Sequence, residues 1–215
     1  MTPQDASRRL RELCNLAPVI PVLVIDDAHH ARPLAEALVA GGLPVLEVTL
    51  RTPAALDAIG AMADVPGASV GAGTLVSPED IRAAKSAGAR FGVSPGATQE
   101  LLAVCKDEDM PLLPGAATAS EAMYLLRRGY DMLKFFPAEA SGGVSALKAL
   151  GGPLPQITFC PTGGVDPANA DSYLVLDNVA CVGGSWIAPR ALIAAEDWDG
   201  IEARARTAAQ LASTP

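Results

Sequence analysis

Aromatic side chains are scarce in this chain: four Phe, three Tyr and two Trp among 215 residues. That is too few for a platform of stacked bases, which argues against a single-stranded nucleic acid as ligand. Positive charge is short as well. Sixteen Lys and Arg stand against 24 Asp and Glu, a net charge of −8, and the one basic cluster is "RRLRE" near the N-terminus. Non-specific nucleic-acid binding needs a basic face, and these arginines read instead as the solvated side of an N-terminal helix. Histidine is limited to His29 and His30, which read as exposed loop residues, and Cys14, Cys105, Cys160 and Cys181 form no CxxC pair. That spacing suits neither a zinc cluster nor a disulfide framework, so no metal is expected and the thiols are expected reduced and buried. Pro18, Pro21 and the pair Asp26–Asp27 interrupt the one early apolar stretch, so no signal peptide and no membrane partner is expected. A cytoplasmic protein is expected, with a small molecule as its partner.

What the chain does have is apolar bulk and a regular alternation. Half of the residues are hydrophobic, the length suits one domain spanning 1–215, and the 20 Gly and 18 Pro fall in short turn-like clusters. A helix is expected over about 3–15. Apolar runs then recur at 19–25, 43–50, 68–75, 90–96, 110–116, 131–138, 156–164 and 178–185, separated by alanine-rich helical stretches. Ser77-Pro78-Glu79 opens one of those helices with a cap and a proline in its first turn. The runs are nearly continuous, as in strands buried on both faces. A doubly wound sheet and a barrel both fit such alternation. Eight βα units in this length favour a (β/α)8 TIM barrel over about 18–211, with the extra N-terminal helix covering its bottom.

In a barrel the functional face lies at the carboxyl ends of the strands. The two-residue period of a strand puts Glu47, Thr49 and Arg51 on one side, toward the mouth, with Val48 and Leu50 toward the helices. Thr74 follows Gly71 and Gly73 on the third strand. Read as structure alone, Glu47 and Arg51 would be a buried ion pair, a weak source of stability because desolvation offsets the attraction. Among four lysines, Lys85, Lys106 and Lys148 lie in helical or loop surroundings, and only Lys134 sits within an apolar strand, in "MLKFFPAEA".

Burial disfavours a charged amine, and a neutral amine attacks a carbonyl to form an imine. The protonated imine is then an electron sink for breaking a carbon–carbon bond. This is metal-free class I aldolase chemistry, with no cofactor. Phe136 shares the direction of Lys134 and would line the apolar side of the site. The strand ends "CPTGG" (160–164) and "VGGSW" (182–186) place glycine pairs in two successive loops. Backbone N–H groups can approach an anion closely there, and barrels often hold phosphate at these two loops. Thr162, Gly163, Gly164, Gly184 and Ser185 are the expected cradle.

Taken in order, "GGLPVLEVTLRTPAAL" (41–56), "GAGT" (71–74), "SPG" (94–96), "LKFFPAE" (133–139), "FCPTGGV" (159–165) and "VGGSW" (182–186) resemble the bacterial 2-keto-3-deoxy-6-phosphogluconate (KDPG) aldolases, a group that also acts on 4-hydroxy-2-oxoglutarate (KHG). The resemblance runs from about residue 18 to 200. It implies a homotrimeric (β/α)8 barrel with Lys134 as the Schiff-base lysine and Glu47 as the general acid/base. It further implies that Arg51 and Thr74 hold the keto acid's carboxylate, and that the glycine loops with Ser185 hold the 6-phosphate. The implied reaction is the aldol cleavage of the Entner–Doudoroff pathway. Three other readings remain open at this point. One is a phosphate-binding epimerase or decarboxylase barrel, another the same cleavage on the galactonate-derived epimer or on unphosphorylated 4-hydroxy-2-oxoglutarate, and the third a silent barrel that only binds a phosphometabolite.

Overall fold

The computed structural model describes residues 1–211, so the last four residues of the expected domain lie outside the described residues. Helix α1 (Pro3–Cys14) comes first. It starts because the Thr2 hydroxyl accepts from the Asp5 N–H and Pro3 sits at the first helical position, where no intrahelical N–H is needed. Nine strand segments follow: β1 (Val19–Leu23), β2 (Val45–Thr49), β3 (Ser69–Gly73), β4 (Phe91–Val93), β5 (Leu112–Leu113), β6 (Gly115–Ala116), β7 (Met132–Phe135), β8 (Thr158–Pro161) and β9 (Val182–Gly184). Helices α2 (Ala31–Ala40), α3 (Ala55–Ala63), α4 (Pro78–Ser86), α5 (Gln99–Asp107), α6 (Ala119–Arg127), α7 (Gly143–Gly151), α8 (Ala170–Leu174), α9 (Arg190–Ala194) and α10 (Trp198–Ala209) alternate with them. No helix among the described residues is long and apolar enough to cross a membrane.

Among the described residues every strand pairing is parallel, and the strands form two curled sheets ordered β5-β4-β3-β2-β1-β9 and β6-β7-β8. The expected fifth strand is divided in two at Pro114. A proline has no N–H to give to a ladder, which ends the regular pairing there. Its carbonyl still accepts from the Lys134 N–H at 2.9 Å, so the chain stays beside β7 through the break. Between β8 and β9 the pairing shrinks to two parallel bridges, Phe159 with Val179 and Thr162 with Gly183.

Side chains alternate across these strands as their two-residue period requires. Ile20, Val45, Phe91, Val93 and Met132 pack together on the inner side, closed off by Leu10 and Cys14 of α1. The opposite faces, with Leu46 and Val48 on β2, pack against the buried side chains of helices such as Leu34, Leu38 and Ile59. Helix α1 is fastened where β7 begins: the Asp131 N–H donates to Ser7 Oγ (3.2 Å), and the Asp131 carboxylate accepts from the Arg11 guanidinium (3.0 Å). The amino ends of the strands are thereby covered, as expected for the N-terminal helix. The carboxyl ends remain for polar side chains.

Candidate active site

Lys134 on β7 and Glu47 on β2 meet in the interior, 5% and 3% exposed respectively, with Nζ donating to Oε1 at 3.2 Å. The fold brings them together across 87 residues, because β2 and β7 belong to different sheets whose inner faces converge. Two charges removed from water cost several kcal/mol each before their attraction is counted, so the pair is a poor investment for stability alone. The backbone has also been cleared for it. A Cβ on Gly73 would lie 2.2 Å from Glu47 Oε1, so only glycine fits opposite this carboxylate. The Phe136 ring centroid is 5.3 Å from Lys134 Nζ and gives the amine an aromatic wall. Glu47 does not pair with Arg51.

Arg51, exposed at the end of β2, instead donates from Nε to Thr74 Oγ1 at 3.1 Å. Thr74 has φ 64°, a left-handed conformation that a β-branched residue adopts only under strain, at a cost of roughly 1–3 kcal/mol. Strain of this kind persists where the surroundings need the side chain in one place, and here it sets the hydroxyl against the guanidinium. Arg51 keeps the rest of its planar fork available, which suits a carboxylate. Between these residues Thr49 is wholly buried and gives its hydroxyl to the Leu23 carbonyl at 2.8 Å, stitching β2 to β1. Its role is in the sheet.

A cavity of about 120 Å³ gathers Arg51, Phe136, Thr162, Gly163, Gly164 and Ser185, with Val22, Val24, Val165 and Gly183 completing the wall. Larger hollows of about 330, 450 and 500 Å³ lie elsewhere, and neither Lys134 nor Glu47 is among the residues that line any of these four. Size does not identify the site; chemistry does. Gly163 and Gly164 have φ of 99° and 79°, so the turn after β8 uses backbone shapes open mainly to glycine. Among the described residues their amides donate to no protein oxygen, which leaves them available to an anion. Gly184 stands apart from the other cradle residues. A Cβ there would lie 1.9 Å from the Trp186 ring, so this glycine makes room for an indole. Thr162 is buried beneath the turn with its hydroxyl 3.5 Å from the Cys160 carbonyl.

Over residues 10–204 the chain matches the family model described as KDPG and KHG aldolase. The chain belongs to that aldolase family. A curated relative from Pseudoalteromonas atlantica, named 2-dehydro-3-deoxy-phosphogluconate aldolase, is 52% identical over 199 residues, covering 92% of this chain and 93% of its own. The crystal structure of the Zymomonas mobilis KDPG aldolase with 3-phosphoglycerate superposes with a TM-score of 0.93 at 48% identity, covering 97% of this chain and 98% of that one. A KDPG aldolase from Legionella pneumophila, with pyruvate captured as a covalent carbinolamine, gives 0.90 at 47% identity over 93% of this chain and 98% of that one.

Some parts of this candidate site were not singled out from the sequence. Gly73 and Gly183 are spacers whose absent side chains face Glu47 and the Thr162 hydroxyl, at 2.2 and 2.3 Å. Val22 and Val24 follow from the same parity rule as Glu47 once β1 is registered against β2, where Val22 pairs with Glu47. Ser94, in the "SPG" stretch after β4, is wholly buried and its hydroxyl has no partner among the described residues. The two histidines divide: His29 is exposed, while His30 is half-buried, its ring 5.9 Å from that of Trp198 and its Nε2 3.5 Å from Glu196.

Proposed function

We propose that this chain is a class I aldolase of the Entner–Doudoroff pathway. It cleaves 2-dehydro-3-deoxy-6-phosphogluconate into pyruvate and glyceraldehyde 3-phosphate, and 4-hydroxy-2-oxoglutarate into pyruvate and glyoxylate. The observation that carries this reading is the buried contact of 3.2 Å between Lys134 Nζ and Glu47 Oε1. Glu47 takes a proton from Lys134 Nζ, which leaves a free amine as the nucleophile. The amine then adds to the C2 ketone, and Glu47 supplies the proton with which the carbinolamine loses water to give the iminium. Glu47, now a carboxylate, takes the C4 hydroxyl proton. As the aldehyde forms, the C3–C4 bond breaks and its electron pair moves through C3 to the iminium nitrogen. Glyceraldehyde 3-phosphate leaves, Glu47 returns the proton to C3, and water releases pyruvate from the lysine. One carboxyl group serves throughout because each step leaves it in the form the next requires.

Arg51, steadied by Thr74, holds the carboxylate of the keto acid, and Phe136 covers the apolar flank of the imine. Thr162, Gly163, Gly164, Gly184 and Ser185 hold the 6-phosphate, Gly184 through its backbone. The reading extends to the whole molecule: one domain over 1–215 and a closed (β/α)8 barrel. The two bridges between β8 and β9 and the continuity of β5 with β6 through Pro114 support that closure. A homotrimer and a cytoplasmic location belong to the same reading, the latter in keeping with four free, buried thiols. The test is cleavage of both substrates with chelator present. Lys134→Met is expected to lose turnover with its near-ultraviolet spectrum unchanged, and retained turnover in that variant would remove the lysine from the mechanism.

A further inference from the structure

The glycine turn after β8 leans on a tyrosine–carboxylate contact that the reaction does not use. Tyr173, on α8, is wholly buried, and its hydroxyl donates to Glu139 Oε1 just beyond the lysine-bearing strand. Burial first, and then the adjacent carboxylate, push the phenol well above its ordinary range, so it remains a donor at any neutral pH. Gly143 makes the space for this contact: a Cβ there would lie 3.2 Å from Tyr173 Oη and 3.3 Å from Glu139 Oε1.

Glu139 is the wall behind the turn. A Cβ on Gly164 would lie 2.6 Å from Glu139 Cγ and 2.7 Å from its Cβ, closer than packed atoms come. The Glu139 N–H donates to the Gly163 carbonyl at 3.1 Å, and the Ala138 N–H to the Thr162 carbonyl at 2.8 Å. On the other side, Asn169 Nδ2 donates to the Gly164 carbonyl at 2.9 Å. The carbonyls of the turn are therefore drawn back into the protein while its amides stay unused. Glu139 is itself exposed and carries a charge of the same sign as a phosphate. The bond from Tyr173 engages one of its oxygens on the α8 side and limits its freedom to compete for the turn.

We propose that Tyr173 and Glu139 are a positioning pair that sets the preference for a phosphorylated keto acid, by shaping the Gly163–Gly164 turn from behind. The proposal rests on the phosphate reading above. It is tested by steady-state cleavage of 2-dehydro-3-deoxy-6-phosphogluconate and of 4-hydroxy-2-oxoglutarate by the full chain, with competition by inorganic phosphate. One lost hydrogen bond and a released carboxylate are expected to raise KM for the phosphorylated substrate about ten-fold in Tyr173→Phe, with kcat within about two-fold. KM for 4-hydroxy-2-oxoglutarate is expected to stay within about two-fold, and phosphate inhibition to weaken in parallel with the first change. Glu139→Gln keeps an acceptor for the tyrosine and should retain the preference. If Tyr173→Phe fails to fold, Glu139→Ala, at an exposed position, removes the Cγ that packs behind Gly164 and is expected to raise KM for the phosphorylated substrate alone, through the lost shape of the turn. Equal losses on both substrates would show a general structural role and overturn the pairing, as would an unchanged KM for the phosphorylated one. A wild type whose KM ignores the phosphate, and which inorganic phosphate does not inhibit, would remove the cradle itself and the pair with it.

Discussion

At the scale of single residues, the sequence exposed the amine and the carboxylate but not their relation. Lys134 was legible because it is the one lysine inside an apolar strand, and Glu47 because alternation put it on the inner side of β2. That they touch depends on how two sheets curl toward each other, which no spacing along the chain reveals. The same holds for Gly73, whose importance is an absence. Gly73→Ala would drive a methyl group into Glu47 Oε1, 2.2 Å away, and the carboxylate would have to leave the lysine. A general acid/base displaced in this way typically loses 10²–10⁴-fold in rate, and we expect kcat to fall into roughly that range. Pyruvate binding at Arg51 should persist, which fluorescence or calorimetric titration would check. A variant with wild-type kcat would show that Glu47 has room the structure does not give it.

The elements were legible in kind and less so in extent. Continuous apolar runs identified the strands, but each strand is shorter than its run and is trimmed at either end: 19–25 yields Val19–Leu23, and 178–185 yields only Val182–Gly184. The run 110–116 was read as one strand, and Pro114 divides it for want of an N–H. Helix starts were clearer, since caps are local chemistry. Thr118 opens α6 with a reciprocal capping box: its hydroxyl accepts from the Glu121 N–H, and Glu121 accepts from the Thr118 N–H at 2.9 Å. The Ala117 N–H, and with it the Thr118 hydroxyl and N–H, hold the Glu121 carboxyl below the ordinary carboxylate range. A lowered folded-state value stabilises above the ordinary one and is lost as pH falls through it. Thr118→Ala should therefore cost about 1 kcal/mol at neutral pH, and urea titration should show that deficit shrinking below about pH 4. A deficit independent of pH would mean that the carboxylate takes no part in the cap.

Across the whole molecule, the rhythm of apolar runs separated by helical stretches pointed to a parallel α/β architecture, which the strand pairings show. The strand order and the two-sheet arrangement had to come from register. One consequence of packing so many apolar strands together is a set of buried groups that resist ionisation. Burial raises the Cys105 thiol from an ordinary 9.0 to about 12, and Tyr130 from 10.0 to about 12 with a further contribution from Cys105. Cys181 is also raised, first through hydrogen bonds with Cys14 and Cys160 and then by burial. For each of these the folded state holds its proton at pH values where the unfolded chain releases it. Stability is then complete below the ordinary values and falls as pH rises from about 9 toward 12. Guanidinium titrations at pH 7, 9 and 10.5 should give a declining midpoint. A thiol reagent at pH 8 should find little to react with in the native protein and four thiols after unfolding. A flat midpoint, with thiols reacting freely in the native state, would mean that the interior is more open than this packing allows.

The imine is the centre of the proposed chemistry, and one measurement reaches it most directly. The protein is treated with pyruvate and borohydride, with chelator throughout, and the product is read by intact mass and peptide mapping. A reduced pyruvate adduct confined to the peptide containing Lys134, and lost in Lys134→Met, is the expected result. A folded, catalytically active protein that forms no adduct, or carries it on another lysine, would contradict an imine at Lys134.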